Sequence, residues 1–311
     1  MRVTFHLTDR CRNECKFCFV RPHRDPRELP ARIWSDAAAA LATLFPGVEI
    51  VLTGGEPLLF DDVDAIVRAA ARAGAIVHFN SSGDGLGPEQ ARELAQAGVR
   101  HVNLSLDGPP PLHDFLRGRP GAYRRANEAL DNLVGNAPDV RRNIVTVVMG
   151  ANLPGMADFA DALFADDRVD GVYFQILANP AGVDGGDAWL ADPDLFHPDA
   201  ELRRRVMRHL QERRAQGAKI NNPAAALAMQ AAVLADPSRA VEGSCPIEEF
   251  GFCVDARGDV SLCGLFAPLG NIAREPLATI LAEERRAPTI RRMRECRRPC
   301  HRRVNCASAA L

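Results

Sequence analysis

Over its first 176 residues the chain alternates between two kinds of segment. Short runs rich in apolar and β-branched residues occur at Val3–Leu7, Val48–Leu52, Ala75–Phe79, His101–Leu106, Asn143–Val148 and Gly171–Ile176. Between them lie longer stretches with apolar residues at helical spacing: Ser35–Leu44, Asp61–Ala73, Pro88–Ala97, Ala122–Val134 and Met156–Ala165. The short runs predict strands and the longer amphipathic stretches predict helices. Six strands with five intervening helices form the pattern of an α/β layer, a parallel sheet with crossover helices. In such sheets ligands bind at the carboxyl ends of the strands. Helices at Glu201–Ala215 and Ala224–Ala235 follow, and complete this unit or bridge to a second. Val20–Pro30 is a polar connection without periodicity. Leu177–Asp199, rich in Gly, Pro and Asp, reads as a long loop that contains Trp189 and His197, a candidate substrate lid. The expected division is one large domain over 1–235 and a small cysteine-rich one over 236–311.

Composition narrows the function classes. The 311 residues are 47% hydrophobic and 25% charged, as in a globular protein. No apolar run reaches the length of a membrane span, and no signal peptide is expected ahead of the first strand. The net charge of −2 gives no global signature of nucleic-acid binding. The basic residues are nearly all Arg; Lys16 and Lys219 are the two lysines. The charge-biased stretch Arg285–Arg303 reads as a solvated helix face, or as a balance for anionic clusters or an acidic substrate. Nine cysteines without an export signal point to metal ligation in a reducing, cytoplasmic setting rather than to disulfides.

Three of those thiols sit within eight residues straight after the first apolar run, in Cys11-Arg-Asn-Glu-Cys15-Lys-Phe-Cys18. Thiolates are soft ligands that suit zinc or iron–sulfur clusters. Structural zinc usually takes four protein ligands, and no fourth Cys or His stands inside the loop. Three sulfurs can wrap one face of a [4Fe–4S] cluster and leave one iron open. The second strand ends in Thr53-Gly54-Gly55-Glu56-Pro57, where two glycines allow close backbone approach and Glu56 adds a carboxylate. The third ends in Asn80-Ser81-Ser82-Gly83. Ser105 and Asp107 end the fourth and, by period-2 geometry, share a side; helix capping is their competing role. Val147 and Gln175 are placed to line an adenine or substrate space, or the core.

The cysteine loop, with aromatic Phe17 before its last Cys, resembles the cluster loop of radical S-adenosylmethionine (SAM) enzymes, and Gly54-Gly55-Glu56 resembles their GGE motif. The resemblance implies a partial (β/α)6 barrel, which the strand pattern alone does not choose over an open sheet. It implies a [4Fe–4S] cluster on Cys11, Cys15 and Cys18 whose open iron chelates the methionine portion of SAM. Reductive cleavage of SAM then yields a 5′-deoxyadenosyl radical that takes a hydrogen atom from a substrate. By the same resemblance Gly54, Gly55 and Glu56 hold the methionine amino group, and Ser105 and Asp107 contact the ribose or the SAM carboxylate. Asn80, Gln175 and Phe17 are further cofactor-binding candidates. His113 and Arg117 belong to a related signature, as ligand contacts or as a salt bridge with Asp114.

The other six cysteines, Cys245, Cys253, Cys263, Cys296, Cys300 and Cys306, all lie in the last 67 residues. Cys253 and Cys263 flank a predicted β-hairpin with its turn at Asp255–Asp259. A zinc knuckle is one reading of this group. The region also resembles the auxiliary-cluster domain called SPASM, or its shortened twitch form, which implies one or two auxiliary [4Fe–4S] clusters. Two features depart from that pattern: Cys296-x3-Cys300 replaces a C-x2-C, and two later cysteines are missing. Six thiolates cannot fill two four-iron clusters, so one cluster has four and two are spare, or each of two takes a non-cysteine ligand such as His301 or Asp255, or keeps an open iron.

These features predict a radical SAM enzyme that oxidises, cross-links or forms thioethers in a ribosomally made peptide. The alternatives are the same chemistry on a small molecule and a non-catalytic iron–sulfur carrier. An external reductant such as flavodoxin or ferredoxin is implied, with no nucleic-acid or membrane partner. The general base is unassigned; Asp255, Glu248 and Glu249 are candidates near the auxiliary cysteines.

Overall fold

The computed structural model describes residues 1–20, 25, 27–177, 187–238, 245 and 251–296. Six parallel strands run in chain order across one sheet: β1 (Arg2–Thr8), β2 (Glu49–Gly54), β3 (Ile76–Ser81), β4 (Val99–Ser105), β5 (Arg141–Val148) and β6 (Gly171–Ile176). The crossover helices are α1 (Ala31–Leu44), α2 (Val63–Arg72), α3 (Pro88–Ala97), α4 (Pro110–Arg117), α5 (Ala122–Asn136) and α6 (Met156–Ala165). All six predicted strands and all five predicted helices are present, with ends shifted by a few residues. α4 is the addition: the sequence reading treats its residues as a motif, not as an element. Helices α7 (Ala200–Ala215) and α8 (Ala224–Ala235) follow β6.

Strand alternation gives the sheet two unlike faces. Val3, Phe5, Leu7, Ile50, Leu52, Val77, Phe79, Leu104 and Phe174 are fully buried or nearly so on the helix-covered side. Phe5 meets Trp34 of α1 at 5.1 Å between ring centres. Each such side chain contributes about 1.5–3 kcal/mol when removed from water. The opposite face carries polar residues that satisfy one another across the strands. Asn103 donates to Asn80 (2.7 Å), Asn143 to Asn103 (3.0 Å), and Asn221 to Asn143 (3.1 Å). The sheet is an open parallel layer rather than a closed barrel, matching a partial barrel with its polar face inward.

The C-terminal region continues this same sheet. β7 (Cys253–Val254) pairs parallel with β1, aligning Cys253 with Thr4, and β8 (Asp259–Ser261) and β9 (Gly270–Asn271) follow antiparallel. The approach is close at Gly251, whose φ is +145° and where an added Cβ would lie 1.6 Å from the Arg2 carbonyl oxygen. Helices α9 (Leu277–Ile280) and α10 (Glu283–Glu295) cover the hairpin, and Val254, Val260, Leu277, Ile280 and Met293 join the core that the barrel helices build.

The predicted lid is in part anchored. Within its residues 187–199, Trp189 is buried edge-on to Phe196, and Gly150 and Ala151 donate to the Leu195 and Asp194 carbonyls at 3.0 and 2.8 Å. Residues 178–186 lie outside the described ones.

Candidate active site

β1 runs directly into the cysteine loop, and two neighbours hold that loop. On one side the two-glycine turn after β2 zips onto it: Gly55 donates to the Thr8 carbonyl (2.6 Å) and Glu56 to that of Arg10 (2.8 Å). A Cβ on Gly54 or Gly55 would stand 2.3 or 2.2 Å from those same carbonyl oxygens. The glycines are therefore required by the cysteine loop's own backbone, in addition to any ligand. On the other side α4 ends against the loop. Glu14 donates to the Arg117 carbonyl (3.0 Å) and Lys16 to that of Leu116 (3.1 Å), while Gly118 caps α4 in the left-handed region.

One cavity of about 420 Å³ opens where these elements meet, at the carboxyl ends of the strands. Cys11, Cys15 and Cys18 all line it, with Phe17, Gly54, Gly55, Asn80, Ser105, Val147 and Gln175. The structure thus brings together most of the residues that the sequence singles out. Cys15 is buried; Cys11 and Cys18 are half-buried. Burial pushes the Cys15 thiol up, and the nearby Arg117 guanidinium pulls it back toward thiolate. Sequence reasoning passes over His78 and Tyr173, which also line the cavity. Alternation holds the missed signal, since His78 shares a face with Asn80 and Tyr173 with Gln175.

Two predicted contacts stand elsewhere. Glu56 is buried behind the wall, where its carboxylate accepts from Ser81 Oγ (2.9 Å), Ser82 N (2.8 Å) and Ser82 Oγ (2.6 Å). Burial pushes that carboxyl up against the pull of these donors. Its carboxylate ties the β2 turn to the end of β3, and the turn's backbone is what the cavity sees. Asp107 has no exposure, and its side chain does not line the cavity. Its Oδ2 takes Arg117 Nη2 and Nε at 2.6 and 2.8 Å, and its Oδ1 takes the Val147 N–H at 2.9 Å. β4 ends at Ser105, so period-2 geometry does not reach Asp107. Nor does Arg117 pair with Asp114, which instead accepts the Gly121 and Tyr123 N–H groups at the start of α5.

The chain matches the radical SAM superfamily over residues 5–163, just over half its length, and an iron–sulfur cluster-binding domain, SPASM, over 245–307. This chain belongs to the radical SAM superfamily. An AdoMet-dependent heme synthase of Oleidesulfovibrio alaskensis is 31% identical over 50% of this chain and 40% of its own length. The mycofactocin maturase MftC of Mycolicibacterium smegmatis is 32% identical over 66% of this chain and 50% of its own. The chain thus spans half or less of the length of these curated relatives. The solved structure of native anSMEcpe with bound AdoMet and Cp18Cys peptide shares the fold, with a TM-score of 0.69, 17% identity, and coverage of 94% of this chain and 83% of that one.

As a radical SAM enzyme with a SPASM region, the protein uses a SAM-binding [4Fe–4S] cluster, SAM and auxiliary iron–sulfur chemistry. The residues present fit the first of these. Three cysteine side chains and a two-glycine turn meet on one cavity whose wall also offers the hydroxyl of Ser105 and the amides of Asn80 and Gln175. Among the described residues no three His, Cys, Asp or Glu side chains converge as ligands of a single ion do. A cluster asks for less convergence, because each thiolate takes its own iron.

In the SPASM region Cys253 sits opposite Thr4, a cavity-lining residue of β1, and strand pairing turns both to the same face of the sheet. Cys245, Cys263 and Cys296 are half-buried. Cys300, Cys306, His301, Glu248 and Glu249 lie outside the described residues. Asp255 is committed to the hairpin turn: Oδ1 accepts the Arg257 and Asp259 N–H groups at 3.0 Å each, and Oδ2 pairs with Arg257 at 2.6 Å. That engagement argues against Asp255 as a general base. No described helix is long and apolar enough to cross a membrane.

Proposed function

We propose that this radical SAM enzyme oxidatively modifies a ribosomally made peptide, by side-chain oxidation, cross-linking or thioether formation. The observation that carries the reading is the fusion of the SPASM hairpin to β1, with Cys253 on the cavity face beside Thr4. It supports a redox-active region beside the substrate space, which suits a net oxidation. When bound, the cofactors supply a 5′-deoxyadenosyl radical for hydrogen abstraction and an acceptor for the electron the substrate then gives up. The chain's own work is to bind and aim. Gly54 and Gly55 hold the cysteine loop, and Ser105, Asn80 and Gln175 offer hydrogen bonds along the wall. Priming needs an external one-electron donor such as flavodoxin or ferredoxin.

Similarity to a mycofactocin maturase and to a peptide-bound structure supports a peptide. Similarity to a heme synthase favours a second reading, a small molecule treated by the same chemistry. Mass spectrometry of the anaerobic reaction decides between them. A short peptide encoded beside this chain is expected to lose about 2 Da per event, a change of two hydrogens, with SAM and reductant present. Release of 5′-deoxyadenosine with every such peptide left unchanged would reject the peptide reading and leave the family chemistry standing.

A further inference from the structure

Arg117 is a largely enclosed cation set against a cysteine of the cluster loop. Its Nη1 points to Cys15 Sγ at 3.9 Å, and its side chain is only 11% exposed. Nε and Nη2 fork onto Asp107 Oδ2, and the guanidinium carbon stands 5.2 Å from the centre of the Phe17 ring. Asp107 is itself fixed from three further directions. Its Oδ1 accepts the Val147 N–H (2.9 Å), its own N–H donates to His113 Nδ1 (3.0 Å), and its carbonyl accepts from Asn152 Nδ2 (2.8 Å). The guanidinium therefore has one place to be, and that place is beside a ligand sulfur.

A fixed cation in a poorly solvated site acts strongly on nearby negative charge. Reducing an iron–sulfur cluster adds one electron, so a cation beside a ligand thiolate favours the reduced form. Local net charge and N–H donors to the sulfurs are among the levers that set cluster potentials. We propose that Arg117 sets the reduction potential of the SAM-binding cluster, and that Asp107 both positions it and cancels part of its charge. The pair is a tuning device for the electron that starts the reaction. This rests on Cys11, Cys15 and Cys18 carrying that cluster, and it is independent of the substrate.

Redox titration of the reconstituted full chain, followed by electron paramagnetic resonance, tests it on wild type, Arg117→Gln, Arg117→Lys and Asp107→Asn at equal iron content. At the wild-type midpoint, Arg117→Gln is expected to lower the ratio of reduced to oxidised cluster about tenfold, which for a one-electron couple is a shift of about 59 mV to more negative potential. Asp107→Asn leaves the cation uncompensated and is expected to shift the other way. Arg117→Lys, which keeps the charge, stays nearer to wild type. Opposite signs from two neighbouring residues are not a result of general damage to the site. Unchanged potentials, or shifts of one sign, would overturn the proposal. Should Arg117→Gln fail to hold iron, the other two variants decide: a positive shift in Asp107→Asn with Arg117→Lys near wild type supports the proposal, and an unchanged or more negative potential in Asp107→Asn overturns it. A chain that reconstitutes no iron at all would instead refute the cluster reading on which the proposal rests.

Discussion

Asp107 has no exposure and both its oxygens are committed, so it meets the cavity through its partners Arg117 and Val147. Its other neighbour, His113, has a consequence for stability. His113 Nδ1 accepts the Asp107 N–H, so it is unprotonated, and its 3.8 Å approach to Asp107 Oδ2 is not an ion pair. Burial pushes this imidazole down to about 4, and the attraction of the Asp107 carboxylate does not offset it. Burial, with His78 and Arg141 nearby, also pushes His101 to about 4. An unfolded chain would charge both rings near the ordinary value of about 6.5. Between those values the unfolded state binds more protons, so stability is full above about 6.5 and falls as pH drops toward 4. For His113 the loss has an upper bound of about 3 kcal/mol. His113→Asn keeps an acceptor near the Nδ1 position and removes the titration. Urea unfolding of the metal-free chain at several pH values is expected to show a flatter fall for that variant than for wild type; identical slopes would mean that His113 is not held neutral.

At the scale of elements, α4 acts as a buttress. Its last turn accepts two backbone hydrogen bonds from the cysteine loop, and Gly118 makes the contact possible. Gly118 has φ +61°, and a Cβ there would stand 2.4 Å from the Glu14 carbonyl oxygen. Gly85 has φ +90° with nothing within 4 Å of the added Cβ. Gly85→Ala therefore bears backbone strain alone, about 1 kcal/mol. Gly118→Ala bears strain and a clash, and is expected to cost about 2–4 kcal/mol and to lower iron retention. Thermal unfolding and iron analysis of the two variants would show whether the cysteine loop leans on α4; equal effects would say that it does not. The same elements show what sequence could carry. The six strands were legible because Val3, Phe5, Leu7 and their counterparts bury one whole face. α4 was not, because an eight-residue helix opening on Pro110-Pro111 shows no sustained period. β7 is two residues long, and its place beside β1 is set by the Gly251–Arg2 approach, a long-range contact that no local pattern encodes. Motifs carry the cavity wall, whereas the Arg117–Asp107 pair has no local signal because the strand ends before Asp107.

The whole molecule joins its two iron–sulfur regions through one sheet. β7 extends the barrel strands, and hairpin residues such as Val254 and Val260 share the barrel core, so the described part of the SPASM region is built onto β1. The cysteine loop, by contrast, takes its backbone supports from α4 and from the β2 turn, which lies across β1 from the hairpin. Damage at an auxiliary ligand should then spare the first site. Cys253→Ser changes one atom on a half-buried strand position and keeps a similar volume. Wild type reconstituted under anaerobic conditions is expected to hold about eight irons per chain with one auxiliary cluster, or about twelve with two. Cys253→Ser is expected to lose about four of them. SAM cleavage driven by dithionite should persist in that variant, because Cys11, Cys15 and Cys18 and their supports are untouched. Formation of oxidised product should fall at least tenfold, because the substrate's second electron has lost its outlet. If the variant keeps its full iron, Cys253 is not a ligand, and if wild type holds only about four irons, the hairpin carries no cluster and its fusion to the sheet serves packing alone.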